Sequence, residues 1–196
     1  MRLIGLTGRS GSGKTTASEA AKELGYLVLD CDRVYAELTS QMTPCLRAIG
    51  ETFGEDTVKD GKLYRPALRE KVFSDPSAME KLNALTARFV GEEIHVRTAA
   101  SSAEYVLLDA PTLFQSGLDP LCDFIVAVVA PEEDCVSRIV SRDGISEAEA
   151  RRRLAHQPSA EFFREHCHGI LENDGSREAL YKKAIDTFSA IQKGAL

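Results

Sequence analysis

The stretch Gly8-Arg9-Ser10-Gly11-Ser12-Gly13-Lys14-Thr15 constrains this chain more than any other. An apolar run, Leu3 to Leu6, leads into it, and a helix-forming run, Thr16 to Leu24, leaves it. The pattern G-x-x-x-x-G-K-[ST] in a strand-then-helix setting is that of a phosphate-binding loop. Its glycines let backbone N–H groups turn inward around phosphate oxygens without Cβ clashes. The helix behind it adds a positive dipole end and unpaired donors. Gly8, Gly11, Ser12, Gly13, Lys14, Thr15 and Thr16 are therefore the expected nucleotide contacts. Within that set Lys14 would reach the β- and γ-phosphates, and the Thr15 hydroxyl would ligate Mg²⁺. A glycine-rich turn without ligand is the bland alternative. Average residue frequencies make a chance match in a chain this long roughly a one-in-a-hundred event.

A length of 196 residues suits one domain with a sizeable core, or one domain with a small insertion. The formal net charge of −6 argues against a duplex-binding surface, so no nucleic-acid partner is expected. The longest apolar run, Phe124 to Ala130, is far too short to span a bilayer, and the N-terminus enters a strand without signal-peptide architecture. Five cysteines are scattered, odd in number and never in C-x-x-C spacing. Reduced thiols in a cytoplasmic protein are the expectation, with neither a disulfide framework nor a zinc site.

Strand-like runs recur at Leu3–Leu6, Tyr26–Leu29, Tyr105–Asp109, Asp123–Val129 and Gly169–Leu171, with helical patterns between them. Such alternation predicts a three-layer α/β fold around a five-stranded parallel sheet. Asp30 and Asp32 follow the second strand, at the edge of an open α/β sheet where ligands bind. Asp30 is expected to cap the next helix and Asp32 to face a pocket. From Arg33 to about Ala100 the pattern is mostly helical, with a polar turn region at Gly54–Gly61; this is more than a simple crossover and reads as a helical lobe. Asp109 ends an apolar strand, the pattern of a carboxylate at Mg²⁺.

Arg138 and Arg142 stand at i and i+4 and share a helix face. Beyond Asp143-Gly144, Ser146 to Glu149 reads as a capped helix start running through Arg151-Arg152-Arg153 to Gln157. Phosphoryl transfer needs cations that close over spreading equatorial charge, which a short basic hairpin supplies while excluding water. An ordinary solvated arginine face is the alternative. The expected organisation is a core of residues 1–32, 103–142 and 167–196, a helical lobe of about 33–100, and a lid of about 143–165.

In order and spacing, these motifs resemble the dephospho-coenzyme A kinase family nearly end to end. The resemblance is carried by Gly5-Leu6-Thr7-Gly8 with Gly11-Ser12-Gly13-Lys14, by Asp30-Cys31-Asp32, and by Arg65 with Leu68, Val72 and Phe73. Leu82-Asn83, Asp109 to Phe114, Arg142-Asp143 with Arg153 and Gln157, and Asn173-Asp174-Gly175-Ser176 complete it. It implies a phosphate-loop nucleoside-triphosphate-hydrolase-like fold with an acceptor-binding helical lobe, ATP and Mg²⁺ as cofactors, and dephospho-coenzyme A as acceptor. It implies Asp32 as general base, Lys14, Arg138 and Arg142 as further catalytic groups, and Asn173 and Gly175 at the nucleotide. Arg65, a candidate for an acceptor phosphate, joins Arg153 and Gln157 at the substrate; Thr15 and Asp109 would hold the metal. The chain departs from the family at Ala87-Arg88, where His-Pro is usual, and at Gln115, where an acid is usual. A related kinase with a nucleoside or nucleotide acceptor, and a nucleotide-dependent switch without acceptor, remain rival readings. The expected assembly is a monomer or weak homo-oligomer.

Overall fold

Residues 1–196 are described by a computed structural model. The chain opens with β1 (Arg2–Thr7), α1 (Lys14–Glu23), β2 (Leu27–Asp30), α2 (Cys31–Leu38) and α3 (Pro44–Phe53). A hairpin of β3 (Val58–Lys59) and β4 (Lys62–Leu63) precedes α4 (Arg65–Phe73) and the long α5 (Pro76–Ala99). Then come β5 (Tyr105–Asp109), β6 (Phe124–Val129), α6 (Glu132–Asp143), α7 (Glu147–Ala155), α8 (Ala160–His166), β7 (Gly169–Glu172) and α9 (Arg177–Gln192).

The elements fall into two compact units, one of Met1–Leu29, Ala103–Pro111 and Cys122–Leu196, the other of Asp30–Ser102 and Thr112–Leu121. In the first, the sheet order is β2-β5-β1-β6-β7, with β1 paired in parallel to β5 and β6, and β6 to β7. Register places Ile4 beside Leu107 and Phe124, Leu6 beside Val126, and Val128 beside Leu171. That face packs on Ala17, Ala20 and Ala21 of α1 and on Leu180, Ala184, Phe188 and Ile191 of α9. The alternate residues Val106, Leu108, Ile125 and Ala127 are buried as well. Burial on both faces is why these strands read as continuous apolar runs without alternation. The architecture is a three-layer α/β fold around a five-stranded sheet.

The second unit is helical, with Cys45, Ile49, Phe53, Leu68 and Val72 forming a core against Tyr35, Leu82 and Phe89. Caps explain its helix starts: Asp30 accepts Arg33 N at 2.9 Å, Thr43 accepts Leu46 N, and Asp75 accepts Ser77 N. Segment Thr112–Leu121, placed with the core in the sequence reading, clusters here instead, with Gly117 against Ala87.

Three local features differ from the sequence reading. The region Gly54–Gly61 is not only a turn but runs into the β3–β4 hairpin, whose Asp60 and Gly61 both have positive φ (51° and 71°). That is the Asp-Gly signature of a type I′ turn. The second strand begins at Leu27, because Tyr26 turns its ring onto Tyr105 and Phe188 and donates its hydroxyl to Phe188 O at 2.9 Å. A short helix, α8, follows the α6–α7 hairpin, started by Ser159 accepting Phe162 N.

Candidate active site

The loop between β1 and α1 is built on glycines that no other residue could replace. Gly8 has φ 137°, and a Cβ there would stand 2.3 Å from Val128 O. Gly13, the residue before α1, has φ 110°, and a Cβ would stand 2.6 Å from Asn173 Nδ2. No side chain caps α1, in contrast to α2 and α3, and the positive end of its dipole opens on the loop. Lys14 Nζ folds back to donate to Gly8 O at 3.1 Å, which spans the loop. The main chain closes it with Ser12 N to Arg9 O at 3.1 Å and Thr16 N to Gly13 O at 3.0 Å.

Side chains from three other elements hold this loop. Asn173, 6% exposed at the end of β7, donates Nδ2 to Ser12 O at 2.7 Å. Arg138 on α6 donates Nη1 to Gly11 O at 3.0 Å. Gln157, beyond α7, accepts Ser10 N at 2.8 Å and donates Nε2 to Ser10 Oγ at 2.9 Å. Arg9 reaches outward from the loop to Glu132 Oε2 at 2.9 Å and Leu154 O at 3.0 Å. Of the two arginines expected over the phosphates, Arg138 touches the loop. Arg142 is paired with Asp143 instead, and Arg153 donates to the same carboxylate. The Arg142 and Arg153 guanidiniums hold the Asp143 carboxyl well below its ordinary range. Gly175 lies in the exposed turn before α9, against Ala179.

Thr15 is exposed on the first turn of α1. Ser18, three residues on and so on the same helix face, donates to Asp109 Oδ2 at 2.5 Å. A hydroxyl and a carboxylate on one side of the loop are hard oxygen donors, the ligand set that suits Mg²⁺. Next to the loop lies a cavity of about 570 Å³ lined in part by Arg9, Arg164, Glu132, Glu161, Glu172 and Asp174. Acids outnumber arginines in that lining.

In the helical unit, Asp32 is exposed on the first turn of α2 and lines a cavity of about 190 Å³. Tyr35, Asn83, Thr86, Thr112 and Ser116 share that lining, giving one carboxylate among neutral hydrogen-bonding groups. Thr86 contributes to it, whereas the neighbouring Arg88 lies over the Phe89 ring at 4.2 Å and pairs with Glu92. Arg65 opens α4, its guanidinium 5.9 Å from the centre of the Tyr35 ring, beside a second cavity of about 290 Å³.

A family model described as dephospho-CoA kinase matches residues 2–179, a span that takes in both the phosphate loop and the Asp32 cavity. The chain belongs to the dephospho-CoA kinase family. A dephospho-CoA kinase of Idiomarina loihiensis is 38% identical over 182 residues, 92% of this chain and 90% of the relative. A crystal structure from Thermus thermophilus superposes with a TM-score of 0.81 at 32% identity, covering 97% of each chain. The dephospho-CoA kinase of Campylobacter jejuni, at 24% identity and TM-score 0.67 over the whole of both chains, shares the fold. Sequence reasoning about this family member did not single out Ser18, and it gave no individual role to Ser10 or Asp143, which it quoted only within motifs. Only Ser18 had a local signal, its i+3 spacing from Thr15 on a helix.

Proposed function

We propose that this chain transfers the ATP γ-phosphoryl group to the ribose 3′-hydroxyl of dephospho-coenzyme A, the last step of coenzyme A synthesis. The observation that carries this reading is the uncapped glycine cradle at Gly8–Thr16 within a chain matched by the family model over residues 2–179. Main-chain N–H groups from Gly11 to Thr15, other than that of Ser12, which is held by Arg9 O, bind the donor's phosphates, and Lys14 leaves Gly8 O to neutralise the outer ones. Thr15 and Asp109 would hold Mg²⁺, which when bound supplies charge neutralisation at the β- and γ-phosphates. Asp32 accepts the proton of the attacking hydroxyl, and Asn83, Thr86, Thr112 and Ser116 orient the acceptor through neutral hydrogen bonds. Arg65 binds an acceptor phosphate; a guanidinium does this in bidentate fashion where an ammonium cannot. Arg138, Arg142 and Arg153 stabilise the spreading charge of a loose transition state.

The deciding experiment incubates the protein with ATP, Mg²⁺ and dephospho-coenzyme A, and follows ADP and the phosphorylated product by mass spectrometry. Nucleosides, nucleotides and no acceptor serve as parallel arms. Product from dephospho-coenzyme A alone is expected, and Asp32→Asn should lower kcat by roughly 10²–10⁴ while leaving ATP affinity nearly intact. Phosphorylation of a nucleoside in preference, or slow hydrolysis that no acceptor stimulates, would replace this reading. An unchanged kcat in Asp32→Asn would remove Asp32 from the mechanism.

A further inference from the structure

Gln157 stands just past the C-terminus of α7, its own N–H bonded to Leu154 O at 3.0 Å. Its carboxamide makes both of its bonds to one residue of the phosphate loop, accepting Ser10 N at 2.8 Å and donating to Ser10 Oγ at 2.9 Å. A planar group with an acceptor and a donor side by side thereby fixes the Ser10 peptide and its rotamer together. Ser10 needs such a hold. It sits between Gly8 and Gly11, both at positive φ (137° and 76°), in a stretch with little stiffness of its own. The helix N-terminus organises the other half of the loop, whereas this half is shaped by what grips it from outside. Those grips are Gln157 at Ser10, Arg138 at Gly11 O, and Arg9 reaching to Leu154 O on the turn that carries Gln157.

We propose that Gln157 is a positioning residue for phosphoryl transfer. Acting through Ser10, it holds the rim of the loop, opposite the start of α1, in the shape that meets the donor's outer phosphates. It therefore acts on the loop, in place of the direct substrate contact that the sequence suggested. Because α7 also carries Arg151, Arg152 and Arg153, any movement of that helix releases the rim in the same step. The loop's shape and the seating of the basic hairpin are one equilibrium.

This inference rests on the phosphoryl transfer proposed above, so ATP binding is measured apart from turnover. Parent, Gln157→Ala, Gln157→Glu, Ser10→Ala and the Ser10→Ala/Gln157→Ala double variant are compared by calorimetric ATP titration, by kcat and KM, and by thermal unfolding. Gln157→Ala should lower kcat about 10-fold while ATP affinity weakens only about 3-fold, since the helix-side N–H groups still bind phosphate. Gln157→Glu keeps the length, the planarity and both bonds, the Ser10 hydroxyl now donating, but sets a negative charge on the rim. It should unfold with the parent yet bind ATP about 10-fold more weakly, with the loss shrinking as salt is raised. Losses in the double variant should fall short of the sum of the single ones, as for residues acting through one contact. Parent-like kcat in Gln157→Ala, or strictly additive losses, would overturn the assignment. Should Gln157→Ala fail to fold, Gln157→Asn, neutral but one methylene too short to hold Ser10 in the same way, carries the test, and parent-like kcat in it refutes the proposal. A parent that binds ATP but phosphorylates no acceptor defeats the proposed reaction only; the loss of ATP affinity in Gln157→Ala, absent if Gln157 does not hold the loop, then still decides the role of Gln157.

Discussion

Replacing Asn173 with Asp tests whether the phosphate loop is held from below by a neutral donor. The side chain is 6% exposed, and its Nδ2 donates to Ser12 O at 2.7 Å while its backbone N–H is bonded to Val129 O at 2.7 Å. The substitution leaves shape almost unchanged but can bring a carboxylate oxygen against a carbonyl oxygen. Asn173→Ala leaves Ser12 O without this donor, a loss of about 1–3 kcal/mol. An ionised carboxylate in the same place is buried without a partner, and about 3–5 kcal/mol is the scale of that penalty. Burial and the facing carbonyl both push the introduced carboxyl's pKa upward, and its protonated form can donate to Ser12 O again. A folded-state pKa raised above the unfolded value means the variant is least compromised at low pH and loses stability as pH rises through the raised value. Urea unfolding of parent, Asn173→Ala and Asn173→Asp at pH 5 and pH 7.5 is the assay, with ATP titrations alongside. Asn173→Asp should improve relative to Asn173→Ala on going to pH 5, and its ATP affinity should recover in parallel. A deficit independent of pH, or below about 0.5 kcal/mol in both variants, would refute the reasoning.

Two other perturbations have outcomes set by particular contacts. Ser12 is 1% exposed and its hydroxyl has no hydrogen-bond partner, so Ser12→Ala should leave stability unchanged or raise it by about 1 kcal/mol. A clear loss in urea unfolding would mean that the hydroxyl is satisfied in solution. Asp143 has its carboxyl pKa depressed by Arg142 first and Arg153 second, so its stabilising effect is complete above the ordinary value of 3.8 and disappears as pH falls toward the depressed one. Asp143→Asn should therefore be less stable than the parent at pH 6, with the gap closing as acid protonates the parent's carboxyl; a gap constant down to the lowest pH studied would contradict the pairing.

The sequence shows some of this structure plainly and hides the rest for physical reasons. Leu3–Leu6 and Phe124–Val129 were legible because strands buried on both faces must be apolar at every position. The loop was legible because each glycine answers to a local backbone constraint. Asp30 was legible as a cap, since capping is decided within three residues. The Asp60-Gly61 turn was equally local, and its signal was present but unused. Nothing local could have exposed the grip of Gln157 on Ser10 or of Asn173 on Ser12, which join residues 147 and 161 positions apart. Strand order is hidden for the same reason, as apolar runs do not name their neighbours. Tyr26 shows a different failure: its apolar character serves packing on Phe188, not membership of β2.

The arginines around the loop show how a site can be ordered before its ligand arrives without resisting it. Arg9 is paired with Glu132, Arg138 with Asp134, Arg151 with Glu132, Glu133 and Glu147, and Arg142 and Arg153 with Asp143. The carboxylates in most of these pairs are well exposed, Glu133 at 74% and Asp134 at 50%. Exposed ion pairs contribute little, because water and salt screen them and two long side chains must be held still. A phosphate offers each guanidinium a shorter, charge-assisted and often bidentate contact. That screening bears on the partners of Arg9, Arg138 and Arg151; Asp143, at 23%, is the least exposed of these carboxylates and is shared by Arg142 and Arg153. Arg138 differs, because its bond to Gly11 O is part of the loop's frame. It can meet the donor through its remaining nitrogens while that bond stays in place. Arg138 is thus the cation already fixed at the loop, while Arg142 and Arg153 share Asp143.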